Sequence, residues 1–136
     1  MSSRDGWRRV GVLLGLTLVL SACTHHSLDG DEEGINTYPA GYKSDILGAV
    51  HAYLNDPTGI RDAALSEPLL KSVASRQRYV ACVRFNAKQS NNGNAGVKEL
   101  AAVFLAGHFD QFVEKATDLC AGVTYAPFPE LEKLPR

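Results

Sequence analysis

Arg78-Tyr79-Val80-Ala81-Cys82-Val83-Arg84-Phe85-Asn86-Ala87-Lys88 is the stretch on which the fold turns. Tyr79, Ala81, Val83, Phe85 and Ala87 fall on one face of an extended chain, and Val80, Cys82, Arg84 and Asn86 on the other. A period of two with one face almost wholly apolar marks a half-buried strand. The apolar face needs a helix to cover it, and the chain offers one upstream. Ile46, Ala49, Val50, Tyr53 and Leu54 recur at helical spacing, which predicts a helix over 44–55. Ser44 is its expected cap and Asp45 suits its positive end, while Pro57 forces the chain out of helical geometry.

Downstream of the key strand, residues 89–96 read as a loop by composition. Residues 97–106 form a second strand, with Leu100, Ala102 and Phe104 opposite Ala101, Val103 and Leu105. Gly107 suits a tight hairpin turn, and residues 109–115 return as a third strand that places Phe109, Gln111 and Val113 against Asp110, Phe112 and Glu114. Residues 60–67 are rich in helix formers, but Gly59 and Pro68 leave too short a run for a stable helix, so a strand is expected. Residues 69–76 read as a connection that continues that strand. In the tail, Pro127 and Pro129 flank Phe128, and such a segment cannot sit in the middle of a sheet.

The first residues carry a different message. Arg4, Arg8 and Arg9 precede the apolar run 10–20, which ends in Leu20-Ser21-Ala22-Cys23. A basic segment, an apolar segment and small residues before a cleavage point make a secretory signal. The run is about half the ~20 residues needed to span a bilayer. Leu20-Ser21-Ala22-Cys23 resembles the lipobox of bacterial lipoproteins. The resemblance implies cleavage before Cys23, a diacylglyceryl group on its thiol and acylation of the new amino end. Several acyl chains anchor stably where one holds only marginally. Thr24 stands where an aspartate would favour inner-membrane retention in that family, which implies the periplasmic side of the outer membrane.

Removing residues 1–22 takes three arginines and one aspartate, so 11 basic and 14 acidic residues remain, a net of −3. Nothing in that balance suggests nucleic acid. Residues 23–37 are polar and acidic and read as a flexible tether. His25 and His26 beside Asp29, Asp31, Glu32 and Glu33 resemble metal ligands in type, but a tether supplies no preorganised site. Residues 38–136 then form one small domain. With Cys23 acylated, Cys82 and Cys120 remain as an even pair in an oxidising compartment, and a disulfide is expected between them. A redox pair or a metal site would need Cys-x-x-Cys or further ligands at short spacing. If Cys82 points away from the helix, the bridge draws the tail over the second face, where Tyr125, Phe128 and Leu131 would seat on Val80.

No nucleophile elbow, zinc-binding helix, phosphate loop or dinucleotide fingerprint occurs in the sequence, so no catalytic residue, metal ligand or cofactor is expected. His51 edges the predicted helix and His108 sits at the predicted turn near Asp110. Arg76, Arg78, Arg84 and Lys88 surround the best strand; they suit an anionic headgroup or, more simply, a solvated strand edge.

Tyr42-Lys43, Asp56-Pro57-Thr58-Gly59, residues 78–86 and the run Tyr125-Ala126-Pro127-Phe128-Pro129-Glu130-Leu131 together resemble small uncharacterised outer-membrane lipoproteins of alphaproteobacteria. That resemblance covers most of the domain and implies no activity. The expected architecture is α+β, one N-terminal helix on an antiparallel sheet of three or four strands, stapled by one disulfide. It is similar only in outline to the small lipoprotein of the barrel-assembly machine, which sets helices on a three-stranded sheet. The expected role is a non-enzymatic, lipid-anchored envelope protein that contacts other proteins or peptidoglycan through a sheet edge or face. The alternatives are a module binding a small or lipidic ligand between helix and sheet, and a hydrolase of unfamiliar type. A large apolar pocket would favour the module.

Overall fold

A computed structural model describes residues 34–88 and 94–136. Cys23, the lipobox and the acidic run 29–33 lie outside the described residues. The expected helix on three or four strands is overturned. Among the described residues, six strands form one antiparallel sheet, with two short helices: β1 Arg61–Ser66, β2 Leu69–Val73, β3 Arg76–Lys88, β4 Asn94–Leu105, β5 His108–Val113 and β6 Tyr125–Pro127, with α1 Tyr42–Tyr53 and α2 Pro129–Glu132. The order across the sheet is β5-β4-β3-β1-β6, and β2 also pairs with β3. β1 and β2 thus share one side of β3, broken at Pro68, whose ring nitrogen cannot donate to a ladder.

Two strands escaped the sequence reading for physical reasons. β2 returns to β3 through Ala74 and Ser75, both at positive φ, in a turn where glycine or asparagine is usual. β6 has three residues and ends in proline, yet as an outer strand it needs bonds on one side only, and it pairs with β1. β4 also begins earlier than expected, at Asn94, because a bulge with Gly96 at φ +81° absorbs an extra residue opposite β3.

The faces of β3 are as its alternation predicts. Ala81, Val83, Phe85 and Ala87 join Ile46, Val50, Leu100, Ala102 and Phe104 in the main core under α1. Burying a phenylalanine or leucine there contributes about 1.5–3 kcal/mol each. α1 starts at Tyr42, not Ser44, and Gly41 stands at its N-cap without a side-chain bond. The Asp45 carboxylate instead accepts the Phe109 N–H at 3.1 Å, tying the helix to β5. β5 departs from simple alternation. Phe104 pairs with Phe109 and Val103 with Gln111, so Asp110 is an extra residue and Phe109 and Phe112 both reach the core face. Residues 34–37, assigned above to the tether, make contacts of their own: the Ile35 carbonyl accepts the Ala106 N–H at 2.9 Å.

Candidate functional site

The second face of the sheet has its own small core. Val80, Cys82, Ala101 and Val103 are covered by Ala116 and Cys120, with Leu119, Val123 and Tyr125 partly buried around them. Cys82 and Cys120 form the expected disulfide. It fastens the segment after β5 onto the face opposite α1. Tyr125 seats there as expected, but Phe128 and Leu131 do not. They lie in the main core on the opposite face, because the chain leaves β6 at the sheet edge and turns under it, where the Phe128 N–H bonds the Ala63 carbonyl at 2.8 Å.

Around Tyr125 the charges are organised. The Arg84 guanidinium lies 4.4 Å from the centre of its ring, and its hydroxyl donates to Glu99 Oε1 at 2.6 Å. Arg84 and Glu99 face each other across β3 and β4. Burial, and then the Glu99 carboxylate, push the Tyr125 phenol well above its ordinary range, against the opposing pull of Arg84. The protonated phenol keeps its hydrogen bond to Glu99, which fastens the tail to β4. Glu99 was not singled out in the sequence. Its signal was the register of residues 78–88 against 97–106, which no turn residue specified.

On the first face, Lys98 Nζ donates to the Tyr53 hydroxyl at 2.9 Å and stands 4.8 Å above its ring, while that hydroxyl donates to Glu114. Phe112 meets Tyr53 edge-on at 5.7 Å. These contacts tie the end of α1 to β4 and to the residue just beyond β5.

The arginines of β3 divide between two places. β3 has strands on both sides, so its arginines do not mark a sheet edge as expected. Arg84 is spent on Tyr125, Lys88 packs near Gly59, and Arg76 and Arg78 line a groove with Val103, Leu105, Asp110 and Gln111. His108 lines a different, open groove with Ser44, Asp45 and Gly48, while Asp110 lines the groove of Arg76 and Arg78. His51 is exposed on α1. Among the described residues, no three His, Cys, Asp or Glu side chains gather to hold a metal ion. Between α1 and β1, Tyr42, Leu65, Glu67 and Phe128 line a cavity of about 80 Å³, below the ~300–1,000 Å³ usual for a small-molecule site, while the open groove between α1 and β5 holds about 410 Å³.

What stands out is the outer side of β2. Leu69 and Leu70 are 47% and 50% exposed on a strand whose one strand partner among the described residues is β3. Tyr38, 45% exposed, meets Tyr79 edge-on at 5.3 Å beside them. Comparison with protein-family models, with curated proteins and with solved structures finds no match.

Proposed function

We propose that the chain is a lipid-anchored, non-enzymatic protein of the cell envelope, held through Cys23 at the periplasmic side of the outer membrane, with a folded part that contacts other proteins. The observation that carries this reading is Leu20-Ser21-Ala22-Cys23 at the end of a basic-then-apolar leader. The Cys82–Cys120 disulfide supports an oxidising compartment. The half-exposed leucines of β2 support an interaction role, since adjacent exposed apolar residues on a sheet edge are commonly partner sites.

Mass spectrometry of the chain extracted from membranes of a Gram-negative host tests the anchor. The expected product begins at Cys23 and carries diacylglyceryl and acyl groups, and Cys23→Ala fails to remain with the membrane. A product with a free Cys23 thiol overturns the anchoring. Crosslinking in those membranes, wild type against Cys23→Ala, tests the interaction role.

A further inference from the structure

The register of β2 fixes which of its backbone groups are free. The Cys82 N–H points to the β1 side of β3, where Ser66 Oγ accepts it at 2.8 Å. Backbone groups alternate along an antiparallel strand, so those of Val80, Arg78 and Arg76 point the same way, toward β2. Their partners Leu69, Lys71 and Val73 are spent on them. Leu70 and Ser72 therefore present N–H and C=O outward.

The two faces flanking this edge differ. On the first, Leu70 lies across from Tyr79, with Tyr38 against the Tyr79 ring. On the second, Lys71 lies across from Arg78 and Val73 from Arg76, and Asp110 lines the same groove as the two arginines. A lysine on an outer strand ordinarily guards it against pairing. Here Lys71 Nζ donates to the Ala121 carbonyl at 3.3 Å, so its ammonium is tied to the segment that follows Cys120.

We infer that the outer edge of β2 takes an extended segment of a partner protein as an added strand, with apolar side chains toward Leu70 and Tyr38 and acidic side chains toward Lys71, Arg76 and Arg78. Main-chain bonds to Leu70 and Ser72 supply affinity, and the alternation of apolar and acidic residues supplies selectivity. This deepens the interaction reading and rests on it, but it does not need the lipid.

The test is amide hydrogen exchange on the full chain in detergent micelles, with a short capped peptide of alternating valine and glutamate as the probe. A valine–lysine peptide is the control. The glutamate peptide, at about ten times its Kd, is expected to slow exchange at Leu70 and Ser72 about tenfold. The lysine peptide leaves both amides unchanged. Ser72→Pro removes one outward donor on an outer strand, where proline is tolerated, and abolishes the protection. Arg78→Glu, which leaves the backbone edge intact, shifts preference toward the lysine peptide and serves if Ser72→Pro melts early. No slowing, equal slowing by both peptides, or protection that is indifferent to both substitutions overturns the inference. The mass of the Cys23 peptide decides the anchor separately: a free Cys23 with a protected edge removes the anchor and leaves the edge site, and an acylated Cys23 with an unprotected edge does the reverse.

Discussion

Ser66 Oγ accepts the backbone N–H of Cys82 at 2.8 Å, and both residues are almost fully buried. The bond bridges the gap between β1 and β2, where Glu67 and Pro68 interrupt the ladder along β3. The same hydroxyl donates to the Glu67 carbonyl at 3.1 Å. Ser66→Ala leaves a buried N–H without a partner, a loss of about 1–3 kcal/mol. The melting temperature should fall by roughly 4–8 °C for each kcal/mol in a domain of this size. Thermal unfolding followed by circular dichroism checks this, and an unchanged midpoint removes Ser66 from the ladder.

The disulfide next to it closes a separation of 38 residues. By the chain-entropy relation, replacing both Cys82 and Cys120 with alanine costs about 4 kcal/mol. Beyond the global loss, hydrogen exchange should rise first in residues 116–124, which sit on the second face through Cys120, Ala116 and Val123. Residues 46–50 of α1 should respond only to global unfolding, since they pack on the other face. Equal loosening of both regions would remove the disulfide's local role.

How far the sequence could be read follows the reach of its signals. Residues 78–88 were legible because their alternation is local and their apolar face meets α1. The helix was legible for the same reason, to within two residues at each end. β1 contains Ala63, Ala64 and Leu65, good helix formers, and is a strand because β3 and β6 flank it, which is tertiary context overriding propensity. The bulge at Asp110 that turns Phe112 inward has no glycine to announce it. At the candidate site, the partition of Arg76 and Arg78 from Arg84 was hidden too, because it depends on where Tyr125 comes to rest. The open side of β2 could not be seen while residues 69–76 read as a connection.

The turn between β2 and β3 stores strain that substitution can release. Ala74 has φ +48° and Ser75 φ +67°, a region that costs ordinary L-residues about 1 kcal/mol or more. Ala74→Asn with Ser75→Gly matches the turn's geometry and should stabilise the chain by about 1 kcal/mol. The opposite change at the β4–β5 turn makes the contrast. Gly107 has φ +82°, and a Cβ there would stand 3.3 Å from Thr37 Cγ2. Gly107→Ala should destabilise by about 1 kcal/mol and loosen the Ile35–Ala106 bond. Paired melting curves decide it: the first variant rises and the second falls.

Asp56 provides the pH dependence. Its carboxylate accepts the Thr58 hydroxyl and the Thr58 N–H, and then the guanidinium of Arg136 at 3.0 Å. The Thr58 hydroxyl contributes most, and together these donors hold the carboxyl down at about 2. An unfolded aspartate titrates near 3.9. The folded form therefore binds its proton less readily, so the stabilisation is complete above about pH 4 and fades as pH falls toward about 2. Asp56→Asn keeps an acceptor for Thr58 but carries no charge. Its melting temperature should lie below that of the wild type at neutral pH, and the two should converge as the solution is acidified through that window. Melts at a series of pH values check it: a gap that stays constant from neutral to acid would mean that Asp56 acts through its shape alone.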